Sequence, residues 1–177
     1  MKASLPRGWK NGWDRKSSPV SYFGTSNFNT NIAPVLRDLK INKHERILDI
    51  GAFKNEMVET LHIEGFHNAI GIDVNSKILN SRYGKQINFR DLPLNEKYRV
   101  IYFNQLLEHF PGGIHNNQTQ PSLQILANKI YIHLLPKGYL IFCDSEENAP
   151  EFNECLLNIR FKHILDVDKY SHIFQKL

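Results

Sequence analysis

The clearest signal along the chain is an alternation of short apolar runs with amphipathic stretches. The runs are "RILDIG" (46–51), "NAIGIDV" (68–74), "QINFRDL" (86–92), "YRVIYFNQ" (98–105) and "YLIFCDS" (139–145). Each has the length of a strand and is nearly continuous in apolar character, as strands buried on both faces are. Between them, "EMVETLHIEG" (56–65) has helical spacing closed by Gly65, and "NSKILNSRYG" (75–84) predicts a second short helix with Asn75 or Ser76 as N-cap. "PSLQILANKIYIHLLPKG" (121–138) is strongly helical in spacing, with Pro121 near its start and Pro136 and Gly138 at its end, and "EFNECLLNI" (151–159) predicts another helix. The last two runs, "FKHILDV" (161–167) and "SHIFQKL" (171–177), lie too close together for a crossover helix, so they are expected to pair as an antiparallel hairpin. The pattern predicts an α/β fold: a doubly wound, mainly parallel seven-stranded sheet with a C-terminal antiparallel hairpin, in three α/β/α layers.

Ahead of this regular part, residues 1–28 are rich in Gly, Ser, Asn, Pro and aromatics and show no period, which reads as an irregular basic and aromatic arm. Residues 30–40 space Ile32, Val35, Leu36 and Leu39 at helical intervals and open a single domain over 29–177. The formal charge of +4 is carried entirely by the first twenty residues; residues 21–177 hold 17 basic and 17 acidic side chains. A pI near 9.0 therefore reports the arm, and the balanced remainder argues against a nucleic-acid-binding surface. No apolar stretch approaches the ~20 residues of a membrane helix, and no signal-peptide pattern opens the chain, so a cytoplasmic protein without a membrane partner is expected. Cys143 and Cys155 are too few for a disulfide framework, and Cys143 reads as a reduced core thiol.

The strand ends carry the chemistry. "ILDIG" (47–51), "GIDVN" (71–75), "NFRDLP" (88–93), "YRVIYFNQLLEHF" (98–110) and "LLPKGYLIFCD" (134–144) follow one another in the order and spacing of the class I S-adenosylmethionine-dependent methyltransferases. Over residues 32–177 the chain resembles that family. The resemblance implies S-adenosyl-L-methionine as cofactor, held where strand order reverses at the carboxyl edge of the sheet. It implies that Asp49 fixes the methionine ammonium, that Gly51 lets the backbone pass close to the ligand, and that Asp73 accepts the ribose hydroxyls. It further implies Asp91 near the adenine amino group, Leu92 against the base, and Asn104 at the methionine end.

The loop after the first strand departs from the family. Gly-x-Gly-x-Gly is usual there, and this chain has Gly51-Ala52-Phe53-Lys54-Asn55. Asn55 tolerates left-handed geometry and is expected to keep the turn. Phe53 either swings outward or fills part of the ligand space. Lys54 either pairs with the methionine carboxylate or is an exposed loop lysine.

Methyl transfer needs a base only when the acceptor arrives protonated. Glu108 and His109 resemble a Glu-His pair of small-molecule methyltransferases, with His109 the candidate base or acceptor-orienting group and a structural histidine the alternative. His115, Asn116 and Asn117 lie in a polar loop expected to border the acceptor. The chain has no large insertion to form a lid. The cover must therefore come from the arm (through Tyr22 and Phe23), from the 111–121 loop, or from a partner chain or second copy. The Asn/Asp-Pro-Pro-Tyr/Phe motif, the P-loop and the Rossmann Gly-x-Gly-x-x-Gly are all absent, and none of the eight histidines shows a recognised zinc spacing, so no metal is expected. Two functions follow: a methyltransferase acting on a small-molecule acceptor, or a methyltransferase-like binding or regulatory protein with a degraded cofactor loop.

Overall fold

The computed structural model describes residues 31–107, 119–144, 149–166 and 170–177. The expectations for the arm, for Glu108 and His109 and for the 111–118 loop lie outside the described residues. Within them, seven strands form one sheet: β1 (Ile47–Ile50), β2 (Ala69–Asp73), β3 (Gly84–Gln86), β4 (Tyr98–Asn104), β5 (Leu134–Cys143), β6 (Phe161–Asp166) and β7 (Ser171–Lys176). Their order is β3-β2-β1-β4-β5-β7-β6. The first five strands pair in parallel, while β7 pairs antiparallel with both β5 and β6. The predicted doubly wound sheet and C-terminal hairpin are both present.

Among the described residues, four α-helices cover the two faces. α1 (Ala33–Asp38) and α2 (Glu56–Ile63) bury Val35, Leu36, Met57, Val58 and Leu61 against one face, where Ile47, Val100, Tyr102 and Ile141 meet them. α3 (Thr119–His133) and α4 (Ala149–Asn158) bury Leu123, Leu126, Ile130, Phe152 and Leu156 on the other, against Leu48, Phe103, Leu140 and Phe142. Each helix presents one apolar stripe to the sheet, so the strands are apolar on both sides, as their continuous hydrophobic runs require.

Three stretches differ from expectation, the first being that the helix read over 121–138 ends at His133 and β5 begins at Leu134. Residues 76–80 wind as a 3₁₀ helix rather than an α-helix, capped by Asn75, whose side chain accepts the Lys77 N–H at 3.0 Å. The third strand occupies 84–86, not 86–92. Residues 89–91 form a 3₁₀ turn capped by Asn88, which accepts the Arg90 N–H at 2.9 Å. Phe89 and Leu92, three residues apart, then face the core together, a helical rather than a strand period. An Asx cap overrides the strand propensity of the flanking apolar residues.

Candidate cofactor site at the carboxyl edge

Strand order reverses between β1 and β4, and the carboxyl ends of β1, β2 and β4 bring Asp49, Asp73 and Asn104 to one edge of the sheet. The loop leaving β1 is built from left-handed residues: Gly51 (φ 75°), Phe53 (φ 47°) and Asn55 (φ 67°). Gly51 and Ala52 both donate their N–H groups to the Ile72 carbonyl, at 2.9 and 3.1 Å, which folds the loop back onto β2. Asn55, fully buried, caps α2 in left-handed geometry, and its Nδ2 donates to Ser81 Oγ at 2.9 Å. Asn55 therefore does keep the turn, and it adds a side-chain tie that a glycine would lack.

Phe53 is held by its backbone. Its N–H donates to Asp73 Oδ2 at 2.9 Å, while the Asn75 N–H donates to Asp73 Oδ1 at 2.7 Å. Each Asp73 oxygen keeps lone-pair capacity beyond the one bond it accepts. The Phe53 ring is 42% exposed, and the ammonium groups of Lys77 and Lys54 stand 5.0 and 5.8 Å from its centre. The aromatic face is thus turned toward two cations at the surface.

Two cavities adjoin at this loop and share Gly51, Phe53 and Asn104 as lining. The larger, about 660 Å³, is walled by Ile72, Asp73, Ile87, Phe89 and Leu106. The smaller, about 270 Å³, is lined by Asp49, Lys54, Met57 and Tyr102. Asp49 is 4% exposed, and burial first, then the Asp73 carboxylate, hold its carboxyl well above the usual carboxylate range. Beside it, in the cross-strand position on β4, stands Tyr102. The Tyr102 hydroxyl is buried with no hydrogen-bond partner among the described residues, and its ionisation is pushed well above the ordinary value by burial, then by Asp49 and Cys143.

Of the predicted residues, the edge brings together Asp49, Gly51, Phe53, Lys54, Asp73 and Asn104. It does not bring Asp91 or Leu92: Asp91 is exposed at the end of the 3₁₀ turn, and Leu92 is buried in the core. Because the turn replaces a strand here, Ile87, Asn88, Phe89 and Arg90 line the larger cavity in their stead. Tyr102 was hidden in an apolar run; only its register opposite Asp49 distinguishes it from a core aromatic.

The residues present fit S-adenosylmethionine. A buried carboxyl with its pKa raised, in a cavity that Lys54 also lines, is a seat for a ligand ammonium, whose charge would favour the ionised form. The orphaned Tyr102 hydroxyl in the same cavity offers a further polar contact. The larger cavity has the size of a small-molecule site, with an acid at its rim and apolar walls for a planar base.

Comparison with known proteins agrees. A family profile described as a methyltransferase domain matches residues 26–175. The ribosomal protein L11 methylase from Lactobacillus delbrueckii subsp. bulgaricus superposes with a TM-score of 0.62 at 17% identity, covering 90% of this chain and 83% of that one. A SAM-dependent methyltransferase from Methanosarcina mazei gives 0.61 at 15% identity over 83% and 99% of the two chains. The N-methyltransferase NodS from Bradyrhizobium japonicum, in complex with S-adenosylhomocysteine, gives 0.54 at 12% identity over 80% and 83%. At these identities the similarity is one of fold. No curated protein matches the chain by sequence. The chain belongs to the methyltransferase-domain family, an enzyme family whose methyl donor is S-adenosylmethionine.

Proposed function

We propose that this protein transfers a methyl group from S-adenosylmethionine to a small-molecule acceptor. The observation that carries the proposal is the pair of adjoining cavities, one rimmed by Asp73 and the other holding the buried Asp49. When bound, the cofactor supplies a methyl group activated by a sulfonium. Asp73 takes the ribose hydroxyls while it pins the loop through Phe53. Asp49 and Tyr102 take the amino-acid end, with the Asn104 side chain at the junction of the two cavities. The apolar walls formed by Ile72, Ile87 and Phe89 exclude water from the base.

Support for a small acceptor comes from the short connections at this edge. Among the described residues, the β1–α2 loop spans only 51–55, and β2 is followed directly by a single 3₁₀ turn. NodS, a neighbour in fold, is described as an N-methyltransferase. Glu108 and His109, which follow β4 in sequence, are the groups proposed to receive or orient the acceptor's proton.

A second function, that of a methyltransferase-like binding or regulatory protein whose degraded loop no longer holds the cofactor tightly, draws on one observation: Phe53 stands at the junction of the two cavities, where the family usually has glycine. Calorimetric titration with S-adenosylmethionine and S-adenosylhomocysteine separates the two. Binding in the micromolar range, followed by turnover on a panel of amine and hydroxyl acceptors, is expected. Absence of binding at millimolar ligand would exclude the enzyme.

A further inference from the structure

On the antiparallel half of the sheet, beyond β5 in the strand order, three metal-ligating side chains converge. His163 and Asp166 come from β6 and His172 from the start of β7. His163 Nε2 lies 2.8 Å from Asp166 Oδ1, and His172 Nδ1 lies 2.6 Å from the same oxygen. One ligand atom from each residue falls within 4.8 Å of the other two. We propose that His163, Asp166 and His172 form a binding site for a first-row divalent cation of the zinc type.

The backbone builds this convergence through a local irregularity. In a regular strand, residues three apart point to opposite faces, so His163 and Asp166 would be separated by the sheet. Here the register shifts between His163 and Leu165: His163 opposes Phe174, Leu165 opposes Ile173, and Asp166 opposes His172. Two steps on β6 match one on β7, so Ile164 is the extra residue of a β-bulge. The bulge turns His163 to the face shared by Asp166, His172 and Phe174. Bulges commonly re-aim side chains at functional positions. The spacing in sequence, three residues and then six, matches no familiar ligand pattern because the bulge and the strand pairing, not a helix or loop, set the geometry.

The two rings are held in place. The His172 side chain is only 8% exposed, and its ring packs 5.0 Å from that of Phe142. The His163 ring packs 4.9 Å from that of Phe174. Asp166, by contrast, is 52% exposed, so the cluster opens to solvent on one side. Fixed imidazoles with an open side are what a three-ligand site with one exchangeable position requires. Two imidazole nitrogens and one carboxylate oxygen favour zinc and its first-row neighbours over magnesium or calcium, which take oxygen ligands. Bound across β6 and β7, the ion would clamp the outermost strand of the sheet to its neighbour. The proposal does not depend on cofactor binding, and its test reads a different quantity.

The test is calorimetric titration of the full chain with zinc chloride, paired with thermal melts with and without zinc. One equivalent of zinc is expected to bind and to raise the melting temperature, while magnesium chloride does neither. His163→Ala and Asp166→Ala, both at partly exposed positions that should fold, are each expected to weaken zinc binding at least as much as the roughly 10- to 100-fold that follows loss of an outer-sphere partner. His67→Ala, at an exposed histidine elsewhere, should leave zinc binding unchanged. No zinc binding by the wild-type chain overturns the proposal. So does binding that survives both variants, or that His67→Ala abolishes.

Discussion

The Phe53 N–H donates to Asp73 Oδ2 at 2.9 Å, which ties the loop after β1 to the acid that ends β2. Asp73 therefore shapes the loop and faces the larger cavity at once. Asp73→Ala removes the acceptor for both Phe53 and Asn75 N–H groups. S-adenosylhomocysteine affinity should fall by roughly 1.5–3 kcal/mol, the scale of hydrogen bonds to a charged group. The melting temperature should fall with it, because the loop loses its anchor. Calorimetric titration and a thermal melt check this, and unchanged affinity would show that Asp73 does not touch the ligand.

The Phe53 side chain is expected to matter less than its backbone. Its ring is turned toward Lys54 and Lys77 and is 42% exposed. Phe53→Gly relieves a left-handed residue that costs about 1–2 kcal/mol. Affinity for S-adenosylhomocysteine should change by less than about threefold, or ~0.6 kcal/mol. If binding appears only in the glycine variant, the ring occludes the site and the wild-type chain is a non-catalytic member of its family.

What the sequence disclosed and what it concealed divide along physical lines. The strands β1, β2, β4 and β5 are buried on both faces, so their apolar runs are long and their ends, at Asp49, Asp73 and Asn104, stand out. The third strand was misplaced because it is a three-residue edge strand, too short for a period, beside an Asx-capped turn rich in apolar residues. Asp91 and Leu92 were assigned by resemblance to the family's third motif, and here they lie at the end of that turn and just after it. Tyr102 and the His163–Asp166–His172 cluster depend on cross-strand register, which no local pattern encodes.

Asp49 should make the ligand-free protein sensitive to alkali. Its folded-state pKa is raised, by burial first, so its stability contribution is complete below the unfolded value near 4 and is lost as pH climbs through the folded one. Asp49→Asn removes that loss. The variant should melt higher than wild type at neutral pH, with the gap closing toward about pH 4. It should also bind S-adenosylmethionine more weakly, because a carboxylate is no longer available to the ammonium. Melting curves that run parallel from about pH 4 to about pH 8 would contradict the assignment.

Gly71 and Asn55 should be coupled. A Cβ on Gly71 would stand 1.8 Å from Asn55 Oδ1 and 2.7 Å from the Ala52 Cβ. Gly71→Ala is expected to cost about 1–3 kcal/mol, as overpacking does. Asn55→Ala should cost about 1–2 kcal/mol for left-handed geometry, plus the bond to Ser81. Asn55→Gly avoids the first cost. The pair Gly71→Ala with Asn55→Gly should be less destabilising than the sum of the two, as read by denaturant unfolding in a double-mutant cycle. Strict additivity would mean the Asn55 amide does not fill the space beside Gly71.

Tyr102→Phe separates stability from binding. The hydroxyl is buried without a partner among the described residues, so the folded protein pays its desolvation without return. Removing it should leave the ligand-free protein as stable or raise its stability by about 1 kcal/mol. The same change should weaken S-adenosylhomocysteine binding by about 0.5–1.5 kcal/mol, the net worth of one hydrogen bond. A core tyrosine with no part in the site would give no change in affinity. Opposite signs in the melt and in the titration would mark a polar group kept, at a cost to the fold, for the ligand that fills the cavity beside Asp49.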